Sequence, residues 1–340
     1  MKSFDFKLSD TPMVSVICIT YNHQDYIEDA LQGFVNQATD FPFEVLIHDD
    51  ASTDSTPEVL RRYELKYPHL FKVIYQKENQ HSQGRKIIKD ILLPLARGKY
   101  FAFCEGDDYW IDPRKLQKQY NYMEANHDCT LCIHNAYNIQ GVNTKRYTGK
   151  FTPSKRNRVI PTEEVIRGGG GFCATNSIFA PIKLTRTLPA YFDFLAMDLV
   201  WQMYLASCGK TYCFSDYMSV YRHGVSGSWT DRMRKDNQKR NEHAKRVEEL
   251  YRRFDEETKY KYHDAIMYRT TLIRINTLVS NGEHSRISEA DYCIVKRHIS
   301  VRQRVIYSLA VHSPKIFGFI RHIKRLIAKK FRSVAKGRNK

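Results

Sequence analysis

Three carboxylates crowd the run FCEGDDYW: Glu105, Asp107 and Asp108 fall within four residues, directly after an apolar stretch. Like charges this close repel, so the cluster costs stability unless a cation, a proton or hydrogen-bond donors offset it. A second acidic pair, Asp49-Asp50, closes the apolar run FEVLIHDD. Carboxylates in such pairs suit a divalent cation.

To act together, the two acidic runs must be delivered to one place. MVSVICITYN (13–22), FEVLIHDD (43–50), FKVIYQ (71–76) and KYFAFCEGDD (99–108) have few polar breaks, the pattern of strands covered on both faces. Between the first two, Tyr26, Ile27, Ala30, Leu31, Phe34 and Val35 recur at helical spacing. Thr56 can cap a helix whose first position is Pro57. RKIIKDILLPLA predicts a helix broken near Pro94; Asp112-Pro113 reads as the cap and first turn of another; and CTLCIHNAYNI predicts a further strand. Strands alternating with helices predict βαβ units and a mainly parallel sheet. Ligands bind beyond the carboxyl ends of such strands, so the two acidic pairs are expected on one rim.

After residue 140 the pattern loosens. RGGGGFCATNSIF (167–179) has four glycines but not the Gly-Lys-Ser/Thr ending of a phosphate loop, and reads as a mobile loop lining a cleft. FDFLAMDLVWQMYLASCGK (192–210) predicts a helix with Asp198 near its start, and YCFSDYMSVYRH a strand ending in Tyr221-Arg222-His223. Residues 231–264 carry dense charge of both signs, the mark of a solvated helix.

The 340 residues are 42% hydrophobic and 27% charged, a globular composition. No apolar run is long enough to span a bilayer and the N-terminus lacks an apolar signal region, which predicts a cytoplasmic protein. Cys129 and Cys132 form a CxxC near His127 and His134, but no second ligand pair stands at zinc-binding spacing, so structural thiols are expected. The net charge of +17 is concentrated: residues 292–340 hold 14 Lys or Arg and no acid. Taking those 14 from 54 leaves 40 basic groups against 37 acidic ones in the rest of the chain.

The pieces VSVICITYN, EVLIHDDASTDST, KYFAFCEGDDYWIDPRKLQKQ, AMDLVWQMYLASCGK and YRHGVSGS, in that order over about 13–228, resemble the family 2 glycosyltransferases. The resemblance implies an inverting enzyme of α/β class with the GT-A fold, a Rossmann-like, mainly parallel sheet flanked by helices. It places a transferase domain at 1–230, with a nucleotide-sugar half at about 13–140 and an acceptor half at about 141–230. A helical, basic C-terminal region would occupy 231–340. By the same resemblance Thr20 and Tyr21 line the base and Asp49 or Asp50 accepts from the pyrimidine ring. FCEGDDYW resembles the DxD region, with Glu105 and Asp107 toward the nucleotide and Asp107 or Asp108 on Mn²⁺ or Mg²⁺. Asp198 matches the general base, and His223 a position that contacts metal or phosphate. The implied partners are a nucleotide-sugar donor, UDP-linked by this reading, and a saccharide or lipid-linked saccharide acceptor, as in bacterial surface-polysaccharide assembly.

The segment 316–334 spaces Ile316, Ile320, Ile323, Ile327 and Val334 helically among Arg321, Lys324, Arg325, Lys329 and Lys330. Such a basic amphipathic helix suits the anionic inner face of a cell membrane, or else packs on the domain with a solvated basic face. A nucleic-acid-binding or membrane-binding protein without transferase activity would explain this tail but not two acidic strand ends, which repel phosphate, so no nucleic acid is expected. No GxGxxG follows the first strand, which disfavours a nicotinamide enzyme.

Overall fold

The computed structural model describes residues 11–141, 146–195, 198–224, 237–313 and 316–318. Two compact units divide it, Met1–Lys235 and Asp236–Lys340.

The first unit is built on one sheet. Strands β1 (Val14–Thr20), β2 (Phe43–Asp49), β3 (Phe71–Tyr75) and β4 (Tyr100–Phe103) run parallel in the order β3-β2-β1-β4. Helix α1 (Ile27–Val35) follows β1 and helix α2 (Thr56–Lys66) follows β2. Val14, Val16 and Cys18 of β1 share one core with Ile27, Leu31 and Phe34 of α1 and with Val45 and Ile47 of β2. These side chains are at most 1% exposed, and fully burying each aliphatic one is worth roughly 1.5–3 kcal/mol. That burial on both faces is why the sequence shows continuous apolar runs and not alternation.

Beyond β4 the sheet becomes mixed. Strands β5 (Tyr109–Trp110), β6 (Cys129–Gln140), β7 (Gly149–Phe151), β8 (Arg158–Ile160), β9 (Phe179–Pro181) and β10 (Lys210–His223) complete it. β9 runs antiparallel between β4 and β6, whereas β10 lies parallel to β6 and antiparallel to β5. The GT-A-like parallel half is therefore the N-terminal half, and the C-terminal half is a mixed extension of the same sheet.

Several local expectations change. The fourth strand ends at Phe103, five residues early, because the turn after it folds back onto β1. Pro94 lies in the first turn of a short helix, Leu93–Leu95, that continues the π-helical turn Ile88–Leu92. Thr56 is the first residue of α2, behind Ser55, and its hydroxyl accepts from the His23 N–H at 2.9 Å. Asp112 does not cap by position, since the helix Lys115–Ala125 starts after Arg114, whose N–H it accepts at 2.8 Å. The glycine-rich stretch is structured: the helix Thr162–Gly168 leads into two 3-10 turns and β9, and residues 173–181 are buried.

All eight cysteines are free, and six of them, including Cys129 and Cys132, are buried. Burial pushes the Cys132 thiol well above its ordinary pKa, so it behaves as a small apolar group.

The second unit is helical, with Asn237–Glu257, His263–Asn281, Glu289–Val295 and Val301–His312. The first of these helices is not solvated all round: Val247, Leu250, Tyr251 and Phe254 are buried along one stripe. Tyr268, Leu272, Ile275, Val295, Tyr307 and Ala310 form a core among the other three. Apart from 316–318, the basic segment 316–334 lies outside the described residues.

Candidate functional site

The site is assembled by the ends of β2, β1 and β4, which lie side by side and point the same way. Thr20, the last residue of β1, pairs in register with Asp49, the last of β2. On the other side of β1 the turn after β4 is stitched back, Gly106 N–H donating to Ile19 O at 2.9 Å. Gly106 is required there. A Cβ at this position would stand 2.8 Å from both Cβ and Oγ1 of Thr20, so any side chain would push the acidic turn off the strand end.

On the β2 side the two aspartates have different surroundings. Both oxygens of Asp50 are engaged, accepting the N–H of Gln80 at 2.7 Å and of His81 at 3.1 Å, which fixes the loop after β3. Among the described residues Asp49 is held by Ser52 alone, whose hydroxyl donates to it at 2.5 Å, and burial raises its pKa against the side-chain and backbone hydrogen bonds of that serine. Between them and Ser52, Ala51 adopts φ +63°, a left-handed conformation that costs a non-glycine residue energy and recurs at binding sites. Asn22, at φ +54°, closes the arrangement by accepting the Thr53 N–H at 2.8 Å. Of the two residues placed at the base, Thr20 is buried under Gly106, while Tyr21 is 44% exposed.

The β4 side repeats the pattern. Asp108 is 1% exposed, and its oxygens accept from Asn176 Nδ2 at 3.0 Å and from the Arg222 N–H at 2.7 Å. Asn176 is itself held, donating to Val220 O at 2.9 Å and accepting from Ser219 Oγ at 2.6 Å. Burial raises the Asp108 pKa well above the usual range, Asp107 and Glu105 add to this, and Arg222 opposes it. Among the described residues the carboxylates of Asp107 and Glu105 accept no hydrogen bond. Burial, then the charge of Asp198, then that of Asp107 raise the Glu105 pKa well above the ordinary value.

Asp198 is the first residue of the helix Asp198–Cys208 and accepts a hydrogen bond from the Thr175 hydroxyl. Burial raises its pKa and the Thr175 bond works against that rise. The helix it opens packs against β6 and β10, and its charge adds to the rise in the Glu105 pKa. Tyr221, on β10, feels all four carboxylates: burial raises its pKa most, followed by Asp108, Glu105, Asp198 and Asp107. His223 ends β10, with Nε2 2.9 Å from Thr148 Oγ1, which leaves its other ring nitrogen available.

The side chains present fit a divalent cation of a particular kind. Among the described residues no three His, Cys, Asp or Glu side chains gather into a self-sufficient metal cage. Mg²⁺-type sites need none, since one or two carboxylates plus substrate phosphates suffice. The Asp107 carboxylate, which accepts no hydrogen bond among the described residues, is a donor of that kind.

Residues 15–180 match the family model described as "Glycosyl transferase family 2". That part of the chain belongs to glycosyl transferase family 2. The chain is 37% identical over 220 residues to the uncharacterized protein Rv1520 of Mycobacterium tuberculosis, a match covering 64% of this chain and 60% of that one. The chain thus spans under two thirds of the length of that relative. It is 31% identical over 131 residues to the poly(ribitol-phosphate) beta-glucosyltransferase of Bacillus spizizenii, covering 38% of this chain and 20% of that protein. Among solved structures, S. aureus TarS 1–349 in complex with UDP-GlcNAc matches with a TM-score of 0.59 and 16% identity, over 87% of this chain and 86% of that one. The mannosyltransferase PcManGT from Pyrobaculum calidifontis, in complex with GDP-Man and Mn2+, matches with a TM-score of 0.54 and 15% identity over 94% and 88%. At such identities these two structures speak for the fold.

Asn22, Ser52, Thr175, Asn176 and Arg222 emerge only from the coordinates. Arg222 stood in view beside His223, and Asn176 followed the glycine run, but nothing in their spacing announces a partner 68 or 114 positions away.

Proposed function

We propose that the family 2 domain transfers a sugar from a nucleoside diphosphate sugar, UDP-linked, to a saccharide hydroxyl with inversion, in the making of a surface polysaccharide. The observation that carries this reading is a contrast within the acidic turns: both oxygens of Asp50 and of Asp108 are engaged by other elements, whereas among the described residues Asp49 is held by Ser52 alone and the Asp107 carboxylate accepts no hydrogen bond. On this reading Asp49 serves the nucleoside, Asp107 the metal-bound diphosphate, and Asp198, bonded to Thr175, the acceptor.

When bound, Mn²⁺ or Mg²⁺ would supply charge neutralisation and Lewis acidity at the departing diphosphate. Asp107 would hold that ion, beside an Asp108 fixed by Asn176 and Arg222, and Glu105 would serve the ribose. Asp198 takes the proton from the acceptor hydroxyl as its oxygen forms the new bond to the anomeric carbon and the bond to the phosphate oxygen breaks. Its raised pKa strengthens it as a base. His223 stands at the far strand end, toward metal or phosphate. The acceptor in this reading is lipid-linked, met at the anionic inner face of the cell membrane through 316–334. No helix among the described residues is long and apolar enough to cross a membrane.

A panel of nucleotide sugars, each with and without Mn²⁺, tests the reading by thermal stabilisation. A ligand at a hundred times its Kd adds about 2.7 kcal/mol to the native state. Stabilisation by one UDP-sugar that vanishes with chelator is expected; none by any nucleotide sugar would refute the assignment.

A further inference from the structure

We propose that Arg222 is a positioning residue that sets the acidic turn for its ligand, an inference that rests on the transferase reading. The residue touches the turn twice: its backbone N–H donates to Asp108 Oδ1 at 2.7 Å and its side-chain Nε to Asp107 O at 2.8 Å. The remaining guanidinium donors reach outward, to Asp29 Oδ2 in the first turn of α1 at 2.7 Å and to Gly141 O after β6 at 3.4 Å. The guanidinium carbon lies 4.8 Å from the Tyr26 ring centroid and 5.5 Å from that of Tyr109.

One side chain therefore joins the acidic turn to α1 and to the end of β6. At 3% exposure Arg222 offers nothing to a ligand, so any effect on binding passes through Asp107 and Asp108. A buried guanidinium is costly unless its donors are used, and an apolar residue would fill the same volume more cheaply. What a hydrophobe cannot do is hold a carbonyl and a remote carboxylate at once in the rigid geometry of the planar fork. The Asp107 carboxylate, like that of Glu105, accepts no hydrogen bond among the described residues, and the Asp107 peptide carbonyl is the atom the fork grips. The grip fixes the backbone from which that free carboxylate projects. Asp29, on the far side of the guanidinium, has a 57% exposed side chain and completes the fork's geometry from outside the site.

The test uses the full chain and binding alone, with UDP and GDP as probes, Mn²⁺ titrated by calorimetry and by the loss of its free EPR signal. Asp29→Asn and Arg222→Lys should each weaken Mn²⁺-dependent nucleotide binding by roughly threefold to thirtyfold, the range open to residues acting through others. Asp29→Asn should do so with an unchanged Tm, and it decides the matter if Arg222→Lys does not fold. Wild-type Mn²⁺ and nucleotide affinities in both folded variants, with only Tm lowered, would make Arg222 a structural pin and overturn the proposal. Failure of the unaltered chain to bind either nucleotide would refute the transferase reading itself, and this inference with it.

Discussion

The two acidic strand ends are built alike. At β2, Asp50 spends both oxygens on the loop after β3 and Asp49 keeps Ser52 alone among the described residues. At β4, Asp108 spends both oxygens on Asn176 and Arg222 while Asp107 keeps none among the described residues. In each pair one aspartate holds the scaffold, and in the proposed reading its less engaged neighbour serves the ligand. The placement differs: the less engaged member comes first in both pairs, yet at β2 it is the last residue of the strand and at β4 it lies in the turn beyond it. A pair of acids in a sequence is thus not one functional unit but two residues with separate tasks. Asp198 stands outside both pairs, and its charge adds to the rise in the Glu105 pKa.

Substitutions can break the comparison at several points. The largest effect is expected at Asp198, where Asn should lower kcat by about 10²–10⁴ and leave donor binding intact. Single-turnover rates beside donor titrations measure both, and undiminished turnover would exclude Asp198 as the base. Asp49→Asn should weaken donor binding roughly tenfold to a hundredfold, the worth of a charged hydrogen bond, with little change in stability. Asp50→Ala should show the reverse, losing about 1–3 kcal/mol in denaturant unfolding because two loop N–H groups lose their acceptor. If the two variants exchanged phenotypes, the assignment of tasks at β2 would be backwards.

A smaller effect separates Glu105 from both pairs. The folded chain holds its proton more tightly than the unfolded chain does, so Glu105 favours folding in acid and loses that contribution as pH rises through its raised pKa. Without metal, Glu105→Gln should therefore melt above the wild type at pH 8 and converge with it in acid. Equal melting temperatures across the range would mean that Glu105 is not under electrostatic strain.

The scaffold was legible in the sequence where burial acts on both faces. VSVICIT and FEVLIHD are continuous apolar runs because each strand is covered on both sides, and their ends mark the rim. The acidic turn was legible as a cluster, though not as a turn, since the break after Phe103 depends on Gly106 packing on Thr20. The partners of Asp108 were not legible, because they arrive through antiparallel additions to the sheet whose pairing no local pattern encodes. The Ser52 partner of Asp49 lay three residues away and was readable in principle as a side-chain turn.

The division of labour between Asp107 and Asp108 is the central claim. Mn²⁺-dependent UDP binding by Asp107→Asn, measured calorimetrically beside the unaltered chain, tests it most directly. The account predicts a variant with unchanged Tm whose metal-dependent binding is gone. Binding at wild-type affinity, with the same dependence on Mn²⁺, would contradict it.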